Sequence, residues 1–279
     1  MKIFKIIFSP TGGTEKVANI CAEALAKETA PDFANVDALI NTIDLTDRDA
    51  DFAALGTAIA TDDLCIIAVP SYGGRVPQTA LDRLALIDGN CAKAILVAVY
   101  GNREFDDTLL ELEEAAIASN FTQIAGIAAI AEHSIARQFA PGRPDTEDKA
   151  QLEDFIRQIA QKPEALGYTA PADEEVDFID INTLLLPGGY PFKEYKGSSS
   201  KPIATDACIA CGLCADKCPV AAIPASAPNT TDNAVCISCM RCIAICPEKA
   251  RQLPAENLAA VSERLAPLCA ERKANKLYL

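Results

Sequence analysis

Short apolar runs alternate with amphipathic stretches over residues 2–161. Residues 2–8, KIFKIIF, are an apolar run closed by Ser-Pro-Thr-Gly-Gly, which predicts a buried strand. Glu15 to Lys27 follows with apolar side chains at Val17, Ile20, Cys21, Ala24 and Leu25, the spacing of one helix face. Leu64 to Val69 (LCIIAV), Lys93 to Val99 (KAILVAV) and Phe121 to Ala131 repeat the strand pattern. Each leads into a helical stretch: Gln78 to Leu86, opened by Pro77, then Asp106 to Asn120, then Thr146 to Gln161. Residues 35–45 supply the remaining strand. Strict alternation of strand and helix predicts an α/β fold, a doubly wound parallel sheet of five strands. Past residue 165 the pattern breaks. Residues 166–200 are rich in Gly, Pro and acidic side chains, with Leu184, Leu185, Leu186, Tyr190 and Phe192 among them, and read as a linker that is partly packed. Pro254 to Lys276 reads as a terminal helix.

Three loops leave the carboxyl ends of predicted strands, where open α/β sheets bind ligands. Ser9-Pro10-Thr11-Gly12-Gly13-Thr14 joins the first strand to the first helix. Its glycines free backbone N–H groups, its hydroxyls add donors, and the helix N-terminus favours an anion, so the loop suits a phosphate. No Lys-Ser/Thr pair follows and no G-x-G-x-x-G occurs, so a phosphomonoester fits better than a magnesium-bound triphosphate. The alternative is a helix-capping loop without a ligand. The second loop runs Pro70-Ser71-Tyr72-Gly73-Gly74 and on to Pro77, and the third Tyr100-Gly101-Asn102-Arg103 to Phe105. Tyr72 suits stacking or cover of the sheet edge, and Arg103 an anion contact or a plain surface charge. His133, the single histidine, closes the predicted fifth strand. It is either structural or a proton donor at the ligand.

The densest chemistry lies further on. Cys208-x2-Cys211-x2-Cys214-x3-Cys218-Pro219 recurs, 28 positions later, as Cys236-x2-Cys239-x2-Cys242-x3-Cys246-Pro247. Zinc sites pair C-x2-C motifs at longer separations, and eight thiols in two compact blocks point to iron–sulfur ligation. The spacing resembles that of the bacterial two-cluster ferredoxins, in which the fourth cysteine of each block crosses to the other cluster. That resemblance implies one [4Fe–4S] cluster on Cys208, Cys211, Cys214 and Cys246, and a second on Cys236, Cys239, Cys242 and Cys218. A segment of that length then folds around its metal more than around an apolar core.

Composition narrows the setting. The chain has 279 residues, 50% of them apolar, which allows two domains. No stretch reads as a signal peptide or a membrane span, and with the cysteines committed to a repeat the expectation is a cytoplasmic protein. Net charge is −14, with the acid excess carried by residues 1–200 and a slight basic excess beyond. That balance argues against nucleic acid as a partner. Cys21, Cys65, Cys91 and Cys269 fall outside the repeat and read as small apolar residues.

Ser9, Thr11, Gly12, Gly13 and Thr14 match the S/T-x-T-G-x-T loop that holds the FMN phosphate in flavodoxins, and the order of elements agrees. The first domain therefore resembles a flavodoxin, which implies the strand order 2-1-3-4-5 and FMN held by the three loops. Gly-Asn-Arg stands where flavodoxins carry an acidic third loop. The whole chain looks like a flavodoxin-like domain fused to a two-cluster ferredoxin, a family found among anaerobes and methanogens. The expected organisation is a flavodoxin-like FMN-binding domain over 1–165, the linker over 166–200, a small α+β ferredoxin domain over 201–254 and a terminal helix over 255–279. The implied function is electron transfer between the clusters and FMN, coupling a one-electron protein carrier to a two-electron small-molecule acceptor. The alternatives are a pure carrier or adaptor, or a redox sensor. A homodimer is compatible with the sequence.

Overall fold

The computed structural model describes residues 1–31, 35–162, 184–195 and 197–279. Residues 166–183 and Lys196 of the expected linker lie outside the described residues. Five parallel strands form the centre: β1 (Ile3–Ile7), β2 (Ile40–Asp44), β3 (Leu64–Pro70), β4 (Lys93–Tyr100) and β5 (Thr122–Ile130). They stand in the order β2-β1-β3-β4-β5, the flavodoxin-like order. The crossovers are α1 (Gly13–Thr29), α2 (Phe52–Gly56), α3 (Gln78–Leu84) and α4 (Thr108–Ala118), and α5 (Thr146–Ala160) follows β5. The second strand is shorter than the 35–45 expected, because Val36–Leu39 forms a 3₁₀ turn before it.

Strands covered on both faces need apolar side chains at every position, and β3 and β4 have them. On one face Phe4, Ile6, Cys65, Ile67, Leu96 and Ala98 join Leu109 and Leu112 of α4. On the other, Ile3, Ile66, Ile95 and Val97 join Val17, Cys21 and Leu25 of α1 and Leu152 and Ile156 of α5. Each such side chain, fully buried, contributes about 1.5–3 kcal/mol.

The cysteine-rich segment is small. It contains a two-residue antiparallel pair, β6 (Ile203–Ala204) with β7 (Arg251–Gln252), and two four-residue helices, α6 (Leu213–Asp216) and α7 (Arg241–Ala244). It is seated on the carboxyl ends of the parallel strands through guanidinium-to-carbonyl bonds. Arg48 donates to the carbonyls of Ala215 (2.8 Å) and Cys218 (3.2 Å), Arg83 to that of Pro219 (2.5 Å), and Arg241 back to that of Pro10 (3.4 Å).

Two expectations need correction. The terminal helix over 255–279 is only α8 (Ala255–Leu265), and the chain then forms a 3₁₀ turn at Ala266–Leu268. Pro267 explains the stop, since proline removes a helix donor and disfavours helix before it. The chain goes on to form β8 (Lys276–Tyr278), antiparallel to β5, so the sheet has six strands and not five. The terminal segment therefore belongs to the first domain's sheet. Leu277 packs on one face and Tyr278 on the other, the period-two alternation of a strand. Asn275 locks the return by accepting the Ile130 amide (2.9 Å) and donating to Asp148 (3.1 Å) and Gln151 (2.9 Å).

The described part of the linker is a strap across α4. Leu186 packs against the core, Arg75 lies 4.8 Å from the Phe192 ring centre, and the Lys193 amide donates to Asp107 at 2.6 Å.

Asp148 is the pivot of the C-terminal return. It is fully buried, pairs with the buried Arg143 (2.8 Å from Nε), and accepts from the Asp145 amide and Asn275. Asp148→Ala strands a buried guanidinium and is expected to cost about 3–5 kcal/mol. Urea unfolding followed by far-ultraviolet circular dichroism checks this, and a loss below about 1 kcal/mol would contradict the assigned role.

Candidate functional site

The loops after β1, β3, β4 and β5 enclose a cavity of about 610 Å³ with the strap and α8. The first loop is shaped by its own side chains. Ser9 Oγ accepts the Glu15 amide (2.9 Å), its amide donates to Thr46 Oγ1 (2.7 Å), and Gly12 takes the left-handed conformation at φ 85°. Ser9 is thus buried under the loop as its brace, with its hydroxyl proton still free to donate. Pro10, Thr11, Gly13 and Thr14 line the cavity. The amides of Thr11, Gly12, Gly13 and Thr14 have no backbone acceptor among the described residues, as at any first helical turn. Four free amides and two hydroxyls suit a phosphate.

In the second loop, Tyr72 and Arg75 exchange backbone bonds (2.9 and 3.2 Å) across Gly73 and Gly74. Both glycines have positive φ, 65° and 92°, the turn that demands glycine. A side chain at Gly73 would strike the Tyr195 ring, and one at Gly74 would strike Asp106. Glu111 of α4 holds the loop from behind, accepting from Arg75 Nε (2.9 Å) and the Val76 amide (2.7 Å). Pro70, Ser71, Tyr72 and Gly73 line the cavity, whereas Gly74 is turned under the loop. Burial first, then Cys239 and Tyr195, raises the Tyr72 phenol well above its ordinary pKa, so it stays neutral.

In the third loop, Tyr100, Gly101 and Arg103 face the cavity. Asn102 departs from expectation. Its buried amide donates to the carbonyls of Cys269 (3.1 Å) and Glu271 (2.8 Å) and accepts from the Lys273 amide (3.2 Å). Both of its amide protons and one acceptor lone pair are spent on the C-terminal return. Arg103 pairs with Asp106.

His133 lies on Gly101, so close that an added side chain there would sit 2.5 Å from the imidazole. Its Nδ1 accepts the amides of Ile135 (3.2 Å) and Ala136 (3.1 Å). The ring proton is therefore on Nε2. Burial first, then the charges of Arg103 and Arg264, pushes the imidazole down to about 4. The sequence alone did not mark Tyr195, Ser198 and Ser200 of the strap or Val261, Arg264 and Leu265 of α8, all of which line the same cavity. The apolar spacing of Val261, Leu265 and Leu268 was the available signal for the α8 wall.

The eight repeat cysteines fall into two groups, each around a small cavity of about 20 Å³. Cys208, Cys211, Cys214 and Cys246 line one, and Cys218, Cys236, Cys239 and Cys242 the other. Cys218 and Cys246 thus each stand with the opposite block. All twelve cysteines are free thiols. Among the described residues no three acidic, histidine or cysteine side chains converge closely enough for a single ion. Thiols spread around a void suit a cluster, not zinc. Backbone amides point at the sulfurs, from Ala222 to Cys218 (3.3 Å) and from Ser238 to Cys236 (3.4 Å). Burial raises the Cys239 and Cys242 thiols to about 12.

The second cysteine cavity adjoins the loop cavity. Ser238 lines the latter and its chain neighbour Cys239 the former.

Residues 200–247 match the family described as a 4Fe-4S dicluster domain. No curated protein matches the chain. Among solved structures, a Streptococcus pneumonia flavodoxin is 20% identical over 57% of this chain and 97% of its own, with TM-score 0.38. A short-chain flavodoxin associated with a bacterial microcompartment is 16% identical over 60% and 100%, with TM-score 0.40. Rubredoxin oxygen:oxidoreductase from Desulfovibrio gigas is 15% identical over 59% of this chain and 36% of its own, with TM-score 0.39. The fold assignment rests on the strand order itself. No described helix is long and apolar enough to cross a membrane.

The histidine gives a direct test of the site electrostatics. Because folding lowers its pKa from 6.5 to about 4, the unfolded chain binds the proton more readily in that window. His133 therefore subtracts stability as pH falls from 6.5 towards 4 and is silent above it. Its imidazole nuclear magnetic resonance signals are expected to stay fixed between pH 5.5 and 8. A titration centred near 6.5 would show that the ring is solvated.

Proposed function

We propose that this chain, a flavodoxin-like sheet joined to a dicluster iron–sulfur segment, is an FMN- and iron–sulfur-dependent electron-transfer protein that couples a one-electron carrier to the reduction of a two-electron acceptor. The observation that carries the reading is that two neighbours in the chain, Ser238 and Cys239, line the loop cavity and the second cysteine cavity respectively. Cys208, Cys211, Cys214 and Cys246 would hold one [4Fe–4S] cluster, and Cys218, Cys236, Cys239 and Cys242 the other. Thr11, Gly13 and Thr14 would hold the FMN phosphate, and Pro70 to Gly73 with Tyr100, Gly101 and Arg103 the ring. When bound, the clusters supply one-electron steps and the flavin joins them to two-electron chemistry.

The chain's own residues give each end of this line a task. The cavity of Cys208, Cys211, Cys214 and Cys246 is the outer one, and its wall carries the exposed Ile209 (65%) and Leu213 (38%), with Cys211 exposed between them. An apolar rim at a redox centre fits a protein carrier docking there. At the other end Tyr195, His133 and α8 wall the loop cavity. His133 presents a neutral ring with its proton on Nε2, a donor that stays in one protonation state at neutral pH. This favours a small acceptor at the flavin end over a pure carrier, whose flavin edge would face solvent. The domain limits follow as 1–165 plus the returning strand, and 201–254 for the cluster segment.

Purification without oxygen, followed by iron, sulfide and flavin analysis, tests the reading. About eight irons and one FMN per chain are expected. About four irons would remove one cluster, and FAD or no flavin after reconstitution would remove the assignment of the loop cavity. Thr11→Ala with Thr14→Ala deletes two hydroxyl donors to a charged phosphate and is expected to weaken FMN binding by about tenfold or more. Unchanged affinity in flavin fluorescence titration would mean that the phosphate lies elsewhere.

A further inference from the structure

Two buried side-chain polar atoms among the described residues lack any hydrogen-bond partner, and they are the Nε atoms of Arg241 and Arg251. The two arginines divide between the cysteine cavities. Arg251 lines the cavity of Cys208, Cys211, Cys214 and Cys246, and Arg241 that of Cys218, Cys236, Cys239 and Cys242. Leaving a buried guanidinium N–H unpaired is costly, so two such donors at matching places ask for an acceptor.

The internal repeat sharpens the point. A shift of 28 positions aligns Arg241 with Leu213 and Arg251 with Ile223. The first block thus serves the same loop geometry with apolar side chains, and neither arginine is needed by the motif. Arg251 is nevertheless 2% exposed and the largest fully buried side chain described. Its terminal nitrogens are spent on the carbonyls of Pro228 and Thr230 and on Thr231 Oγ1, which leaves Nε alone for the cavity. Arg241 spends Nη1 on the carbonyl of Pro10 in the first strand-tip loop and likewise keeps Nε. Neither arginine has a carboxylate partner among the described ion pairs, so its charge is not cancelled locally.

We infer that Arg241 and Arg251 are positioning residues for the redox potentials, each presenting its Nε–H to a cluster sulfur, one per cluster. The inference rests on the cluster assignment of the proposed function and deepens it. Reduction by one electron adds one negative charge to the cluster, and a fixed guanidinium with an N–H donor stabilises that state more than the oxidised one. The reduced forms are favoured, and both potentials lie higher than bare cysteine loops in an acidic protein would give. Arg241 also ties the second cluster's loop to the phosphate loop through Pro10. Its charge therefore sits where it acts on the inner cluster next to the flavin.

The test is a dye-mediated redox titration of the intact protein, read by electron paramagnetic resonance, with Arg241→Leu and Arg251→Ile, the side chains of the first block. Each variant is expected to lower one midpoint potential by a factor of ten or more in the reduction equilibrium, about 59 mV for one electron. The two variants should lower different midpoints, and Arg251→Lys should recover part of the shift. Because Arg251→Ile also loses three structural bonds, a second measurement uses the unmutated protein labelled with ¹⁵N only in arginine guanidinium nitrogens. Electron spin echo modulation of the reduced clusters is expected to show weak ¹⁵N couplings. Unmoved potentials in a protein that still holds about eight irons, or absent ¹⁵N couplings, would overturn the inference alone. An unmutated protein with far fewer irons would overturn the cluster reading beneath it.

Discussion

A parallel sheet closes each crossover on the same side, so every strand delivers its next loop to one edge. That constraint decides where everything else in this protein goes. The β1, β3, β4 and β5 loops meet at the carboxyl edge, and the cysteine-rich segment, the strap and α8 are all seated on that edge. An antiparallel sheet of the same strands would alternate its loops between two edges, and neither cavity wall would be complete.

The cysteine segment is not simply appended to a finished domain. The chain leaves the sheet after α5, builds the strap and the cysteine loops, and comes back as β8 beside β5. Asn275 and Asp148 close that circuit, and Asn102 secures the residues before it. Both ends of the inserted segment are thereby anchored to the same rigid sheet. A tether at one end would leave the inner cysteine loop free to swing relative to Tyr72. Two anchors hold Ser238 and Cys239 against the loop cavity, which matters because electron transfer depends on a fixed short separation.

The strands, the crossover helices and the grouping of loops at one edge were legible because each rests on local pattern. Apolar runs such as LCIIAV and KAILVAV leave few alternatives to a buried strand. The cysteine blocks were legible for a similar reason, since a strict spacing is readable wherever the segment sits. What escaped were features set by partners distant in sequence. Lys276–Tyr278 is a strand only because β5 has an open edge, and three residues carry no periodic signal of their own. Asn102 looked like a ligand contact because its loop is one. It takes its real role from carbonyls about 170 positions away, which no local reading could supply. Tyr195 sits in a stretch that reads as linker, and Gly73 accepts it only because that glycine has no side chain.

The two modules are joined by guanidinium groups and carbonyls. Arg48 and Arg83 on the sheet side reach the carbonyls of Ala215, Cys218 and Pro219, and Arg241 returns the contact to Pro10. The choice has a physical reason. The carbonyls of Ala215 and Cys218 already accept the Cys218 and Ala221 amides through long bonds (3.4 and 3.3 Å), and each oxygen keeps a second lone pair for a guanidinium. A guanidinium satisfies two at once in a fixed plane, which an ammonium on a flexible stem does not. An ion pair would have placed a carboxylate beside the cysteine loops, where it would oppose the charge that reduction brings. On the sheet side Arg48 pairs with Asp49 at 3.5 Å and Arg83 lies among Asp44, Asp47, Asp49 and Asp82, so that half of the seat balances its own charge, and Arg241 is the cation that the cysteine segment itself brings to the contact.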